Sequence, residues 1–469
     1  MSTVTREVYV FAHLGGAQSG RFAPAGRLSL LESAGSPPQA SEFAYGTRYL
    51  ENPNAFEIDP VSLSLADRLS RKHTVLAPAN GLPEFGGIRD SAPDAWGRRV
   101  IEARLRKPVN SLRESDYLLE AGSDRVGALD VRQSLDSPTS RPASEKRSLE
   151  YILEAAERIE AGEPVPANLM DMLGGVPSAG GARPKASIRD IDDSLWLAKF
   201  PARNDAFNVA KAEQCTLEIA RLAGLTVPAI QYMEIGNRPV MLIRRFDRYW
   251  LTGNALPSLE QRLHDTLPTR DAEEHRLPFI SGLTLLGCPE MDSPLKGYSD
   301  LAGAMRQHLS TTQIAADCEE LFARMVFNIF TSNDDDHLRN HGFVLDPRLA
   351  QLSASAGIAQ SGWRLSPLYD VVPRPGISHE RTLHLQIGAQ GKVATLDNAL
   401  THFAAFMPDR ATALAIVRRV WGEVRQWKTV FDAMGADGIL IDQVTSAFRK
   451  LEDIASPELI KRIRETAAH

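Results

Sequence analysis

Residues 174–246 contain the feature that most limits the fold of this chain. They begin with a glycine-rich segment, residues 174–185, and continue with short apolar runs typical of strands on either side of a helix pattern. Asn208 is the predicted N-cap of that helix, and Gly224 and Pro228 are its stop signals. The predicted strand, strand, helix, strand and strand cover residues 186–191, 195–200, 208–223, 229–235 and 239–244. This order predicts a lobe that mixes strands and helix.

The rest of the chain divides into regions of different pattern. Short strand-like runs and one helix at residues 94–106 predict a β-rich N-terminal part, and residues 133–146 have the Ser, Pro and charge content of a linker. Residues 251–300 are predicted to be irregular, and strong helix patterns begin at Thr312. The predicted fold class is α+β, with domains at residues 1–132, 147–248 and 249–469.

Composition excludes several classes of protein. The 469 residues carry 53 Lys and Arg against 59 Asp and Glu, a formal net charge of -6, which argues against general affinity for nucleic acid. The sequence has no apolar run near the roughly 20 residues that span a bilayer, and its first residues lack a signal-peptide pattern. Three scattered cysteines fit neither a disulfide framework nor a CxxC metal site. We therefore expect a cytoplasmic protein with no membrane partner.

An acidic turn follows the helix pattern that begins at Thr312. Asp335 and Asn340 have the D-x-x-x-x-N spacing of a protein-kinase catalytic loop, in which Asp is the base and Asn binds metal. Asp370, at the end of a later strand, is the candidate for the second Mg²⁺ ligand, since Mg²⁺ prefers hard oxygen ligands. The alternatives are a solvated turn with an Asx cap for the three aspartates and, for Asp370, an aspartate that opens a proline-terminated turn. For His337 and His341 we predict packing or hydrogen bonding.

The glycine-rich segment and the next strand supply the candidates for phosphate binding. Gly175 and Gly180 have the spacing of a Walker A loop, but Gly181 and Ala182 stand where Lys and Ser or Thr are needed, which disfavours a P-loop NTPase. A flexible linker is the alternative.

Lys199 ends the second strand, and Glu213 lies in the following helix. The two are candidates for the phosphate-gripping Lys and its orienting Glu of a kinase. Separately, each has a plainer explanation: a snorkelling lysine at a sheet edge, and a glutamate on the solvent face of a helix. The order of these features along the chain is nevertheless that of a protein kinase: glycine loop, Lys, Glu, D-x-x-x-x-N and Asp. This order predicts ATP-dependent phosphoryl transfer.

Five segments of the sequence resemble the HipA family of serine/threonine kinases, the toxins of bacterial type II toxin-antitoxin systems and their relatives. The segments are SAGGARPK from Ser178, LAKFP from Leu197, RFDR from Arg245, NDDDHLRNHGF from Asn333, and Tyr369-Asp370. A further segment, RDSAPDAWGRR from Arg89, is similar to the DSLPDxWGR segment of the family. The resemblance covers most of the chain and implies a protein-kinase-like bilobal fold, with an N-terminal β-rich subdomain and a helical C-terminal lobe.

The resemblance also implies roles for individual residues. Lys199 would hold the nucleotide phosphates, Asp335 would be the catalytic base, and Asn340 with Asp370 would bind Mg²⁺. Ser178 would be the autophosphorylation site that silences the enzyme. The remaining implied ATP-binding residues are Ser178, Gly180, Gly181, Glu213, Arg244, Arg245 and Phe246.

The partners implied by the resemblance are a protein substrate, such as an aminoacyl-tRNA synthetase, and a helix-turn-helix antitoxin of the HipB kind. DNA would be contacted only through that antitoxin. Two other hypotheses stay open from the residues: a small-molecule kinase of the same fold, and a catalytically idle module that acts as a co-repressor.

Overall fold

The computed structural model shows an α+β protein, as the sequence predicts. It describes residues 2–14, 21–139, 144–145, 149–173, 181–251, 256, 258–259, 261–265, 273–349 and 362–465. Within those residues, no helix has the length and apolar composition needed to cross a membrane.

Strands dominate the first half of the chain. They are β1 (Val4–Leu14), β2 (Arg21–Glu32), β3 (Ala40–Tyr45), β4 (Leu129–Arg132), β5 (Ser144–Glu145), β6 (Lys185–Arg189), β7 (Leu195–Lys199), β8 (Ile230–Ile235), β9 (Arg238–Arg244), β10 (Arg248–Leu251), β11 (Glu273–Arg276), β12 (Phe279–Ser281), β13 (Gly342–Leu345) and β14 (Trp363–Leu365).

Helices dominate the second half. The α-helices are α1 (Thr47–Glu51), α2 (Gly86–Asp90), α3 (Ala95–Leu105), α4 (Glu114–Glu120), α5 (Leu149–Ala161), α6 (Ala167–Met172), α7 (Val209–Leu222), α8 (Gly282–Leu285), α9 (Tyr298–His308), α10 (Ile314–Thr331), α11 (Leu396–Thr401), α12 (Arg410–Val424), α13 (Trp427–Ala433), α14 (Gly438–Val444), α15 (Leu451–Ile454) and α16 (Pro457–Glu465). Shorter helical turns lie at Ala79–Gly81, Gln261–Asp265, Glu290–Leu295, Leu338–Asn340, Phe403–Ala405 and Thr445–Ala447.

The chain forms two compact units, each built from several stretches of sequence. The first unit contains Met1–Asn204, Ala229–Gly287 and Val344–Gln360. The second contains Asp205–Pro228, Cys288–Phe343 and Ser361–His469. The predicted domain boundaries, which follow the chain in order, remain a prediction.

Two larger sheets belong to the first unit. One has the strand order β3-β2-β1-β4, and all of its strand pairs are antiparallel. The other has the order β5-β6-β7-β9-β8, in which only the β5–β6 pair is parallel. The β8–β9 hairpin turns at Gly236 and Asn237, which both have positive φ, as the predicted two-residue turn requires. A buried cluster that includes Trp96, Ile152 and Ile188 packs helices α3 and α5 against this second sheet.

Helix α10 forms the centre of the second unit. Its apolar residues from Cys318 to Phe330 are almost completely buried, and α9 and α12 both pack against it. Asn208 caps α7 by accepting a hydrogen bond from the Lys211 amide at 3.0 Å, so the predicted cap is confirmed. The long helix α10 leads directly into the acidic turn.

Two expectations about irregular segments are wrong in part. Residues 273–295 hold β11, β12, α8 and a helical turn, although residues 251–300 were expected to lack regular structure. Within the predicted linker, Ser144 and Glu145 form β5, which extends the second sheet by pairing with β6. Short strands of this kind depend on the neighbouring strand for their hydrogen bonds, so local sequence carries little sign of them.

Candidate active site

The acidic turn is held at the point where it leaves α10. Ser332 ends the helix in the left-handed conformation with φ of 52°, and its amide bonds back to the Asn328 carbonyl. The Ser332 hydroxyl donates to the Ala447 carbonyl at 2.8 Å. The chain then passes through residues 333–337 without regular structure and enters the Leu338–Asn340 turn and β13. The predicted catalytic residues therefore lie between two anchored elements.

Asp335 and Asn340 contact each other inside this turn. The Asn340 side-chain amide nitrogen donates to the Asp335 main-chain carbonyl at 2.7 Å, and Asn340 is 8% exposed. A main-chain carbonyl can only accept, so the atom of Asn340 that faces it must be the amide nitrogen. The other end of the same amide group, Oδ1, is therefore available as an acceptor or metal ligand. The Asp335 carboxylate is about half exposed, at 48%. The turn thus presents one carboxylate and one amide oxygen.

Arg374 lies across two of the three aspartates. Its Nε is 3.0 Å from Oδ1 of Asp334, and its Nη2 is 2.7 Å from Oδ2 of Asp335. Burial raises the pKa of Asp334 above its usual value, while the Arg374 guanidinium opposes the rise. Sequence reasoning missed Arg374, because it lies 39 residues beyond Asp335 in the chain.

Asp336 points the other way, into the second unit, where it is 1% exposed. Its Oδ2 accepts the Tyr298 hydroxyl at 2.7 Å, and its Oδ1 accepts the His384 amide at 2.7 Å. Asn328 donates to the Tyr298 hydroxyl at 2.9 Å and accepts from Asn333 at 3.1 Å. Burial raises the pKa of Asp336 to about 7, although the hydrogen bonds from Tyr298 and His384 favour the ionised form. This buried network connects the turn to α9 and α10.

The two histidines of the turn have the packing and hydrogen-bonding roles that the sequence predicts. Nε2 of His341 lies 3.3 Å from the Asp336 carbonyl, and its ring meets the Tyr298 ring edge-on. Burial and the nearby Arg324 lower the pKa of His341 to about 3, so it is neutral at physiological pH. The His337 ring lies edge-on to His384, and its Nε2 is 3.8 Å from Oδ1 of Asp335.

Asp370 lies in the same unit as the turn. Its φ of 59° is in the left-handed region, which Asp and Asn enter more readily than most other residues. The hydroxyl of the preceding Tyr369 donates to the Arg339 carbonyl at 2.8 Å, which connects this segment to the residue before Asn340. Residues with positive φ are enriched at functional sites, and here the residue is the predicted ligand itself.

The chemistry of this donor set fits Mg²⁺. Asn340 offers a fixed amide oxygen and Asp370 a carboxylate, both hard oxygen donors. Mg²⁺ in phosphoryl-transfer sites is usually held by one or two protein oxygens together with substrate phosphates and water. Across the described part of the chain, no group of three or more His, Cys, Asp or Glu side chains forms a metal cluster. The metal role of Asn340 and Asp370 therefore remains a prediction.

Lys199 belongs to the first unit, at the end of the central strand β7. It pairs with Lys185 on β6 and with Met241 on β9, so two lysines stand side by side on one face of the sheet. Lys185 is 4% exposed, and its Nζ is 2.9 Å from Oδ2 of Asp94. Asp94 also caps α3 through the Gly97 amide at 2.7 Å. The sequence does not reveal this buried ion pair, whose partners are 91 residues apart.

The glycine-rich segment is described only at its end. Ser178 and Gly180 lie outside the described residues, and their predicted roles stay predictions. Gly181 has φ of 97°, which L side chains rarely adopt, and a Cβ there would lie 3.1 Å from Nζ of Lys185. Its carbonyl accepts from the Trp96 amide at 3.4 Å. Glycine at 181 thus allows the chain to pass close to the Lys185 ammonium.

Arg245 lies in a buried ionic cluster of the first unit. Its Nε and Nη2 lie 2.7 and 2.6 Å from the two carboxylate oxygens of Asp247, and it donates to the carbonyls of Asp124 and Arg125. Burial disfavours the ionised form of Asp247, but Arg245 and Arg248 outweigh this effect and hold its pKa well below the usual range. This part of the RFDR segment connects β9 and β10 to the loop before β4.

The residues on either side of Arg245 are placed differently. Arg244 is 3% exposed and lies 5.9 Å from the centre of the Trp250 ring, and the Phe246 ring is 6.2 Å from that of Phe279. Glu213 is buried in α7 and belongs to the second unit, unlike Lys199. Because Glu213 is buried, the alternative explanation, a glutamate on the solvent face of the helix, is wrong. The predicted nucleotide contacts of these residues remain predictions.

The family model of the HipA-like C-terminal domain matches residues 177–428, which is more than half of the chain. This chain belongs to the HipA-like family. The match includes Ser178, Lys199, the acidic turn and Asp370, so five of the segments that carry the sequence resemblance lie within it, whereas the segment from Arg89 precedes it.

Two curated proteins of Sinorhizobium fredii are similar to this HipA-like chain. They are Y4mE, 24% identical over 408 residues that cover 80% of this chain and 82% of the relative, and Y4dM, 24% identical over 384 residues that cover 77% and 80%. Both are described as candidate kinases.

Among solved structures, HipA of Shewanella oneidensis matches with a TM-score of 0.60 and 14% identity, over 97% of this chain and 96% of that one. That structure is a complex of HipA with HipB and operator DNA. At this identity the match shows the fold alone, and it confirms the predicted kinase-like fold class.

Proposed function

We propose that this HipA-like chain is an ATP- and Mg²⁺-dependent serine/threonine protein kinase. The observation that carries the proposal is the pairing of Asn340 with the Asp335 carbonyl, which leaves a half-exposed carboxylate and a fixed amide oxygen in one turn. The D-x-x-x-x-N spacing supplies the same two groups in protein kinases. Membership of the HipA-like family and the description of its relatives as candidate kinases support it.

In the proposed reaction, Asp335 accepts the hydrogen bond of a serine or threonine hydroxyl and orients its oxygen toward the γ-phosphorus of ATP. A bond forms between these two atoms, the bond from phosphorus to the β–γ bridging oxygen breaks, and the electron pair leaves with ADP. The hydroxyl proton passes to the carboxylate. Lys199 would supply positive charge to the phosphates. Asn340 and Asp370 would hold Mg²⁺, which when bound would supply further positive charge to the phosphate oxygens.

Transfer of label from γ-labelled ATP to the protein itself, or to bacterial lysate proteins, tests the proposal. Asp335→Ala should abolish transfer, whereas Asp432→Ala, at an exposed position of α13, should leave it unchanged. Hydrolysis of the labelled product should yield phosphoserine or phosphothreonine. The proposal fails if the wild type labels no more protein than Asp335→Ala. Labelling of a metabolite instead of protein would favour a small-molecule kinase.

Autophosphorylation is proposed at Ser178, with loss of activity as its consequence. The support is the match of the HipA-like family model from residue 177 onward and the serine that opens the glycine motif. Mass spectrometry after incubation with MgATP should find phosphate on Ser178, and Ser178→Ala should stay active for longer. Unmodified Ser178 after prolonged incubation would contradict this part of the proposal.

A helix-turn-helix antitoxin and a translation-related protein substrate, such as an aminoacyl-tRNA synthetase, are the proposed partners in the cytoplasm. Support comes from the HipA of Shewanella oneidensis, which was solved with HipB and operator DNA. The chain alone, with its net charge of -6, should not shift DNA in a gel, and addition of the antitoxin should produce the shift. If the chain shifted DNA without the antitoxin, the proposal that it contacts DNA only through a partner would be wrong.

A further inference from the structure

Arg374 makes the contact with Asp335 that the proposed function leaves unexplained. Its guanidinium uses two adjacent nitrogens on two different carboxylates, Nε on Asp334 at 3.0 Å and Nη2 on Asp335 at 2.7 Å. All three side chains are about half exposed, at 50, 51 and 48%. Exposed ion pairs of this kind add little to the free energy of unfolding. A role in stability alone is therefore a poor explanation for the bridge.

The backbone that carries Arg374 is constrained on both sides. Arg374 lies between Pro373, which is buried, and Pro375. The ring of each proline fixes its own φ, and Pro375 also restricts the residue before it, Arg374, to extended backbone. Arg381 donates to the Arg374 carbonyl at 3.1 Å and to the Gly376 carbonyl at 2.6 Å. The same guanidinium reaches the Ser332 hydroxyl at 2.7 Å, at the residue that ends α10. The segment is thus attached directly to the start of the acidic turn.

We infer that Arg374 is a positioning residue for Asp335, an inference that rests on the proposed kinase function. Arg374 binds Oδ2 of Asp335 and so fixes the rotation of the carboxylate. Oδ1, which lies 3.8 Å from Nε2 of His337, is then the oxygen that accepts the hydrogen bond of the acceptor hydroxyl. Asp334 takes part by binding Nε, which prevents the guanidinium from rotating about its own axis.

The chemistry of the bridge predicts which replacements retain function. Lysine carries one donor atom at the end of a flexible stem, so Arg374→Lys can keep a charge near Asp335 but cannot hold two carboxylates in a fixed fork. Arg374→Gln loses the charge. Asp334→Asn removes the partner of Nε and leaves Arg374 attached to Asp335 alone. The expected order of turnover is wild type, then Asp334→Asn and Arg374→Lys, then Arg374→Gln.

The experiment measures label transfer from γ-labelled ATP by the full chain as a function of ATP concentration. Arg374→Gln should lower the maximal rate roughly 10- to 100-fold with an unchanged half-saturating ATP concentration, since misplacement of a catalytic group affects turnover. Arg374→Lys should recover part of the rate. The matched control is Arg462→Gln, because Arg462 is 49% exposed and lies 2.7 Å from Glu458 in the same unit. It should match the wild type.

A double-mutant cycle separates positioning from a general structural effect. If Asp334 acts through Arg374, the double variant Asp334→Asn with Arg374→Gln should be no slower than Arg374→Gln. Additive losses, a rate for Arg374→Gln within twofold of the wild type, or an increased rate, as an inhibitory contact would give, would each overturn the inference. A wild type that labels no more than Asp335→Ala would instead refute the proposed function.

Discussion

Removal of the Tyr298 hydroxyl gives the most direct measure of the network below the acidic turn. Tyr298 is fully buried, its hydroxyl donates to Asp336 at 2.7 Å, and it accepts from Asn328 at 2.9 Å. In Tyr298→Phe, Oδ2 of Asp336 therefore loses its hydroxyl donor, and the side-chain nitrogen of Asn328 loses its hydroxyl acceptor. A buried polar group that loses its partner costs about 1–3 kcal/mol. We expect the free energy of unfolding to fall by about 2–4 kcal/mol.

The loss should depend on pH. Burial raises the pKa of Asp336 to about 7 in the folded protein, above the value of about 3.9 usual for an unfolded chain. The contribution of this group to stability is therefore complete below about pH 4 and is lost as the pH rises to about 7. Above pH 7 the carboxylate is ionised and the bond from Tyr298 is charge-assisted, hence about twice as strong. Tyr298→Phe should destabilise the protein more at pH 8.5 than at pH 5.5.

Thermal unfolding at both pH values, with the wild type beside the variant, measures this effect. The difference between the two proteins cancels the other titrating groups, and about 1 °C corresponds to each kcal/mol for a chain of 469 residues. Tyr232→Phe is the control, because that hydroxyl donates to Glu234 near the surface and its loss should stay within about 0.5 kcal/mol. An equal loss at the two pH values, or a larger one at pH 5.5, would refute the assigned ionisation of Asp336.

Substitutions of Asp247, Asp94 and Asp370 test three other contacts. Asp247→Asn should lower the free energy of unfolding by about 3–5 kcal/mol, because the buried Arg245 and Arg248 lose the negative charge that lies between them. Thermal unfolding measures this loss, and a loss below about 1 kcal/mol would contradict the ionic cluster. Asp94→Asn keeps the cap of α3 but leaves the Lys185 ammonium buried, so it should lower Tm, whereas Asp409→Asn, at the exposed cap of α12, should not. Asp370→Asn should abolish the rise in Tm that MgATP produces, and Asp370→Ala should in addition lower Tm without ligand, because Ala adopts φ of 59° less readily. A full MgATP effect in Asp370→Asn would exclude the metal role.

Local patterns predicted the elements that carry the site. The helix with Asn208 as cap, and the hairpin with its turn at Gly236 and Asn237, were predictable because caps and two-residue turns place specific demands on the residues that form them. The acidic turn could be singled out because its D-x-x-x-x-N spacing is that of a protein-kinase catalytic loop. In these cases the determinants lie within a few residues of each other.

The contacts that distinguish the three aspartates could not be predicted. Asp334, Asp335 and Asp336 are chemically identical and adjacent, yet Arg374 binds the first two while Tyr298 and His384 bind the third. The partners lie 38 to 48 residues away in the chain. Asp336 enters the interior, where Tyr298 of α9 binds it and Asn328 of α10 binds Tyr298 in turn. Sequence spacing gives no access to these contacts.

The ion pair between Asp94 and Lys185 has a consequence for how the chain can be divided. The family model begins at residue 177, but Lys185 lies within it and depends on a carboxylate from residue 94, outside it. Arg245 likewise depends on the carbonyls of Asp124 and Arg125. A fragment that begins near residue 147 would leave Lys185 without its carboxylate partner and Arg245 without two of its carbonyl acceptors. The N-terminal region therefore supplies partners for buried charged groups of the matched domain, and a fragment that lacks it should unfold at a lower temperature than the full chain.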